Sequence, residues 1–237
     1  MVLSLLWTAL LLPSWSLAII LGSIAIPIVI FLFTDYADFI ALGPGGTPQT
    51  VAGYMRVKAL AMAALHDVYN AETLSSVKSG CLQSLPDRGP RPTIRGIAPH
   101  RQITQRASKE MYARLSAEIA QLSRERDDLE LGVSWFEKHN TALFTNRPAR
   151  LTPHGEICHA HPLDGSMHLT LHPADVKIVL EARWGERHPL ARGGSFEMFV
   201  PETFVMIYAP RTEQDIEAVM RIVRASVAYV GGDELES

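Results

Sequence analysis

Residues 156–173 read EICHAHPLDGSMHLTLHP, and the architecture of the chain turns on this stretch. EICHAH and MHLTLH have the alternation of strands, with His168, Thr170 and His172 on one face and Leu169 and Leu171 on the other. PLDGS between them carries the Asp-Gly signal of a hairpin. Residues two apart on a strand share a face, so His159 and His161 point the same way, and a pairing strand would bring His168 beside them.

Downstream, Pro173 sits at a helix start, and Val176, Val179 and Leu180 form its apolar edge. WGERHPLA (184–191) reads as a loop, and SFEMFV and TFVMIYAP as two further strands split by Pro201-Glu202. A last helix opens at Thr212 with a capping pattern, Asp215 at its third position, and stops at Gly231-Gly232. The resulting ββαββα order predicts an α+β fold, an antiparallel sheet covered by helices. Upstream, Val51–Tyr69 and Ser108–Leu129 read as helices, the second with an apolar stripe at Met111, Leu115, Ile119 and Leu122; GVSWFEKH and TALFT follow as short strands.

The first 34 residues contain no charged side chain. About 20 apolar residues cross a bilayer as a helix, so this segment predicts a transmembrane anchor, centred on Leu11–Phe33 and kinked at Pro13 and Pro27. Ser23-Ile24-Ala25 would suit a signal peptidase, but no Lys or Arg precedes the apolar run and it continues to Phe33. Arg56 and Lys58, on the C-terminal side, favour a cytosolic catalytic domain. The expected organisation is an anchor over 1–34, a connector with a helix and a Pro/Gly-rich loop over 35–105, and a catalytic domain over 106–237. In that connector, GPGGTP lacks the Lys-Ser/Thr of a phosphate loop. Arg88, Arg91, Arg95 and Arg101 mark a surface strap, a lipid-facing basic face or a lid.

A net charge of −3 with 20% charged residues excludes the basic stripe of a nucleic-acid binder. Two cysteines, Cys81 and Cys158, build no disulfide framework. Of nine histidines, six fall between His154 and His188, a concentration of the side chain that titrates near neutrality. His159, His161 or His188 would serve as base and Arg187 would hold an anionic enolate. Trp184 offers a flat surface to a planar ring, and Tyr208 and Arg211 place an aromatic donor and a cation at a strand end. His159, His161 and His168 together would also suit zinc or non-haem iron, although no acidic ligand stands at a telling spacing.

HAH followed by HLTL, then WGERHPLA, then YAPRTEQD and the closing helix to Tyr229 resemble, in order and spacing, the fungal luciferases. DYADFIALGPGGTPQTVAGY after an apolar segment is similar to the same family, and the likeness is weak over roughly residues 70–150. The loop PLDGSM is shorter than in the luminous members and lacks a histidine found there, and RGGSFEMFVPETF also departs. The resemblance implies a membrane-anchored monooxygenase that adds molecular oxygen to an enolisable pyrone or polyphenol such as 3-hydroxyhispidin, without an organic cofactor or metal. Its peroxidic product would lose carbon dioxide, with light emission in luminous members and none in a non-luminous homologue. It also implies a single-pass protein of the endoplasmic reticulum. The alternatives are a metal-dependent enzyme built on the histidines and a non-catalytic, membrane-tethered binding protein that holds a planar ligand at Trp184.

Overall fold

The structure is a computed structural model and describes residues 14–74, 79–147, 151–197 and 199–232. It is α+β, with five helices and antiparallel sheets among the described residues. Two compact units divide after Ala41. The first contains helix α1, Ser14–Ala41, whose 28 residues extend about 42 Å. It is long and apolar enough to cross a membrane, and most of its apolar side chains are exposed, Phe31 by 64% and Phe33 by 75%. The part of the expected span before Ser14, with Pro13, lies outside the described residues; Pro27 lies inside the helix.

The second unit runs from Leu42 and includes the segment expected as a connector. Its elements are α2 (Val51–Ala61), β1 (Ile94–Gly96), β2 (His100–Gln102), α3 (Lys109–Glu125), β3 (Leu129–Val133) and β4 (Thr141–Thr145). They continue with β5 (Glu156–Ala160), β6 (Met167–Thr170), α4 (Pro173–Glu181), β7 (Gly185–Arg187), β8 (Phe204–Ile207) and α5 (Glu213–Gly231). β1 and β2 form a small hairpin of their own, while the other strands make a six-stranded sheet in the order β3-β4-β5-β6-β8-β7.

The two faces of that sheet differ in chemistry. Cys158, Leu169, Val205 and Ile207 join Leu115, Ile119, Val219 and Val223 in the main apolar core, so α3 and α5 cover this side. Capping fixes both helices: Ser108 Oγ accepts from Met111 N, and Thr212 Oγ1 from Asp215 N at 3.1 Å. Gly232, at φ 81°, closes α5 in the left-handed conformation. The register places Ala142, His159, His168, Met206 and Glu186 in one row across five strands. By alternation this row lies on the other face, toward β2 and a smaller apolar cluster of Leu190, Ala191, Val200 and Phe204.

Several elements differ from their sequence reading. WGERHPLA is not all loop, because Gly185–Arg187 pairs with β8. SFEMFV is not a strand: a 3₁₀ turn occupies Gly194–Phe196 after positive φ at Gly193 and Gly194, and Val200 N returns to Phe196 O; Met198 lies outside the described residues. The ββαββα order therefore survives with a different third strand. Helix α2 stops at Ala61 because the chain turns to cover the edge of β7, with Arg187 N donating to Val68 O and Leu65 N to Pro189 O. Helix α3 stops at Glu125, since Leu129 already pairs in β3. Most of GVSWFEKH leaves the sheet after Val133 and turns at Lys138 and Asn140, both at positive φ.

Leu169 is fully buried at the centre of β6. Leu169→Ala is expected to cost about 2–5 kcal/mol in urea denaturation of the detergent-solubilised chain. The exposed β3 residue Val133, substituted by Ala, should change stability by no more than about 0.5 kcal/mol.

Candidate active site: a buried histidine cluster

The sheet's polar face gathers five imidazoles. His159 and His168 come from paired positions of β5 and β6. His161 lies just past β5, where its N–H and carbonyl close the hairpin onto Ser166 and Gly165. His188 follows β7, its N–H donating to Phe204 O. His100 comes from β2, outside the sheet. Ring centroids are 4.8 Å apart for His161–His168, 5.2 Å for His159–His168, 5.1 Å for His100–His188 and 5.4 Å for His168–His188. None is exposed by more than 6%.

Carboxylates anchor the cluster from outside. Glu156 Oε1 is 2.6 Å from His159 Nδ1 and accepts from Ser134 Oγ at 2.9 Å, while Oε2 accepts from the Trp135 and Phe136 amides. Residues three apart on a regular strand face opposite sides; the register shift between Leu143 and Phe144 turns Glu156 toward His159. His161 Nδ1 meets Ser166 Oγ at 2.9 Å, and that hydroxyl donates to Asp164 Oδ1 at 2.5 Å. His168 Nε2 is 3.2 Å from His100 Nδ1, and His100 Nε2 is 3.1 Å from Glu186 Oε1. Glu186 Oε2 also accepts from Tyr208 Oη at 2.9 Å and Tyr69 Oη at 3.3 Å. Glu137 Oε1 stands 3.6 Å from His161 Nε2 and is paired with Arg101 at 2.5 Å.

Burial sets the electrostatics. Desolvation lowers His161 from 6.5 to about 4. His168 and His188 are also held well below the usual imidazole value, by burial and then by neighbouring imidazoles. At neutral pH these three are uncharged bases or ligands. Burial would raise Glu137, but His161 and Arg101 outweigh it and lower the carboxyl. One imidazole nitrogen of the face, His161 Nε2, is buried without a hydrogen-bond partner.

Five of the eight residues singled out from sequence meet here: His159, His161, His168 and His188 in the cluster and Tyr208 at its Glu186 end. The other three lie elsewhere. Arg187 is opposite Val205 in register and reaches the carbonyls of Asn70 at 3.0 Å and Ala191 at 2.6 Å, on the helix-covered side. The expected enolate clamp is thus a brace for the chain that covers β7. Trp184 packs in the main core, its indole donating to Pro86 O at 2.7 Å, with the Arg88 guanidinium over its ring. Arg211 binds Asp215 and Arg88 O at the start of α5. Of the arginine strap, Arg88 and Arg101 are buried side chains rather than a lipid-facing patch.

A family model described as the Luciferase domain matches residues 154–226. A luciferase of Neonothopanus nambi is 33% identical, covering 94% of this chain and 90% of its own length. Luciferases of Armillaria mellea and Armillaria ostoyae are 31% and 32% identical, over 86% and 90% of this chain and 83% and 85% of theirs. The chain belongs to the fungal luciferase family. No solved structure matches it.

The luciferase-domain match contains the imidazoles of the sheet and the carboxylates Glu156, Asp164 and Glu186. His100, Arg101 and Glu137 lie before it and complete the cluster from the cover. Sequence reasoning passed over His100 and these acids. One signal was present for Glu186: in GERH, Glu186 and His188 are two apart, so a strand puts both on one face and Arg187 on the other.

Two outcomes follow for the luciferase fold. Between pH 6.5 and 4 the unfolded chain binds a proton that buried His161 refuses, so stability rises with pH and is lost as pH falls through this window. Urea denaturation in EDTA should give a free energy lower at pH 5 than at pH 7.5 by about 2 kcal/mol from His161 alone; a flat profile would contradict the buried neutral cluster. Arg187→Lys should cost about 1–3 kcal/mol of stability, because buried carbonyls lose donors. Its rate per folded molecule should stay within about threefold, an outcome a catalytic clamp would not permit.

Proposed function

We propose that this luciferase-family chain is an oxygenase that adds molecular oxygen to an enolisable pyrone, with 3-hydroxyhispidin as the substrate to test first. The observation that carries the reading is the convergence of buried, uncharged imidazoles on one sheet face, with His161 Nε2 left unpartnered. An enol must be ionised before it can pass an electron to oxygen, and a neutral imidazole beside it can take its proton, because the enolate so formed stabilises the imidazolium that burial alone disfavours. The carboxylates behind the imidazoles fix their orientation, and the low-dielectric surroundings would protect a peroxidic product from water. Loss of carbon dioxide from that product would leave the excited state whose emission gives the relatives their name.

The cluster is closed, so substrate must reach it by movement of the cover. An open cleft of about 570 Å³ meets the network at Tyr69, whose hydroxyl binds Glu186. Its walls carry Arg91 and Lys177 beside Glu72 and Glu181, with Arg183 paired to Asp87, and its volume is in the range of small-ligand sites. The exposed apolar surface of α1 supports membrane anchoring, since so many side chains of this kind would be costly in water. Arg56 and Lys58 beyond the span favour a cytosolic active unit.

Membranes containing the chain should consume oxygen when 3-hydroxyhispidin is added, and a luminometer beside the oxygen electrode reads emission. His161→Ala and His168→Ala should lower uptake at least about 100-fold while a melting transition shows that the variants fold. The absence of oxygen uptake with 3-hydroxyhispidin and with related enolic pyrones would sink the reading.

A further inference from the structure

We propose that His159 Nε2, His161 Nε2 and His168 Nδ1 form a binding site for one divalent first-row transition metal ion. The inference departs from the cofactor-free expectation. It rests on the oxygenase reading for its use, though not for the binding itself.

The argument is a proton inventory. A neutral imidazole has one N–H and one lone pair. His159 faces a carboxylate that already receives a hydroxyl and two amides, so its Nδ1 carries the proton and its Nε2 the lone pair. Ser166 gives its own proton to Asp164, so its oxygen accepts from His161 Nδ1, leaving the lone pair on Nε2. His100 gives its Nε2 proton to Glu186, so its Nδ1 accepts from His168 Nε2, which leaves the lone pair of His168 on Nδ1. In each case the outer hydrogen bond fixes the tautomer of the neutral ring, with the lone pair on the inner nitrogen.

Three lone pairs therefore face one another inside the protein. His159 Nε2 and His168 Nδ1 are 3.3 Å apart, a distance that reads as a hydrogen bond only if one of them carries an extra proton. It is also the separation of two ligands on a tetrahedral ion, where metal–nitrogen bonds of about 2.0–2.1 Å set the nitrogens about 3.3 Å apart. One nitrogen from each of the three residues lies within 4.8 Å of the others. Independently, His161 Nε2 is fully buried with no hydrogen-bond partner, so its lone pair is not engaged by the protein. Glu137 Oε1, 3.6 Å away, is neutralised by its pair with Arg101, so the case for the site stands on the three imidazoles.

A second triad, His100, His168 and His188, is equally close. The same inventory excludes it. His188 Nδ1 accepts from Leu190 N at 3.1 Å, which puts its proton on Nε2, and His100 Nδ1 is already occupied by His168.

The donor set is all imidazole, which suits zinc, iron, copper or nickel rather than magnesium or calcium. Three protein ligands leave open positions, as catalytic sites do and closed structural sites do not. Each ligand is backed by a chain ending in a carboxylate: Glu156, Asp164 through Ser166, and Glu186 through His100. With an ion present, coordination would lower the pKa of an enol hydroxyl at an open position, so that a base as weak as water could take its proton.

The test uses the full chain in detergent, without a polyhistidine tag, stripped with EDTA and titrated with Zn²⁺ or Co²⁺. One equivalent per chain should bind, raise the melting temperature and, for Co²⁺, give the visible bands of a low-coordinate imidazole site. His161→Ala, and separately Glu156→Gln, should weaken binding, the first at least about 100-fold and the second about 10–100-fold. His188→Gln should retain the full stoichiometry, which separates the two triads. No stoichiometric binding of Zn²⁺, Co²⁺, Cu²⁺ or Fe²⁺, or binding that survives His161→Ala unchanged, would overturn the proposal. None of these readouts involves a pyrone, so failure of the substrate reading would be seen separately, as metal binding without oxygen uptake.

Discussion

The hydrogen bond between Glu156 and His159 is where the architecture of the site begins. The carboxylate is buried, and an unpaired buried charge is among the costliest things a fold can hold. It is satisfied from two directions, by the Ser134 hydroxyl with the Trp135 and Phe136 amides, and by the imidazole. The first set bends the chain after β3 into the turn that carries Glu137. Glu137 binds Arg101, and Arg101 is the neighbour of His100 on β2. One carboxylate thus links the turn, the cover and the base of the cluster. A bulge of one residue in the β4–β5 ladder lets it face its partner.

Strand β7 shows how few residues can serve both faces. Glu186 and His188 lie on the polar side, where one closes the hydrogen-bond chain from His100 and the other fills the cluster's far edge. Arg187 lies on the opposite side and ties down residues 70 and 191. Trp184, just before the strand, fills the core between α4 and the sheet. The crowding of an aromatic, an acid, a cation and an imidazole in one short segment therefore reflects an edge strand with work on two sides. Its own edge is shielded by the backbone of residues 65–68, which prevents further pairing.

The parts readable from sequence were those governed by local periodicity. The β5–β6 hairpin, the apolar stripe of α3 and the cap of α5 at Thr212 all follow from spacings of two or of three to four residues. The face shared by His159, His161 and His168 follows too. The β7 strand escaped because three residues beginning with Gly and followed by His-Pro carry too little pattern to read as a strand. SFEMFV has the composition of a strand, but Gly193 and Gly194 at positive φ turn the chain before it can pair. His100 escaped for a different reason: it is 59 positions before His159 and enters through the tertiary arrangement of the cover. The supporting carboxylates belong to the same class. Their function lies in fixing tautomers, and a tautomer is decided by a partner that only the fold supplies. The resemblance to luciferases was readable because most of its motifs lie in β5–β8 and α5, where the luciferase-domain family match also falls, with one further stretch upstream at residues 35–54.

The closed state of the cluster and the chemistry of the family bear on each other through β2. His100 is both part of the cover and the partner that keeps the proton on the outer nitrogen of His168. A movement of β2 that admitted a ligand would therefore break the His100–His168 contact and free His168 to exchange tautomers. Return of β2 would expel water and reset the outer proton in the same event. The Arg101–Glu137 pair, buried beside His100, makes such opening expensive, since separating the ions without solvating both would leave an uncompensated charge. In the proposed oxygenase, assembly of the reactive arrangement and exclusion of water would both fall to this hairpin.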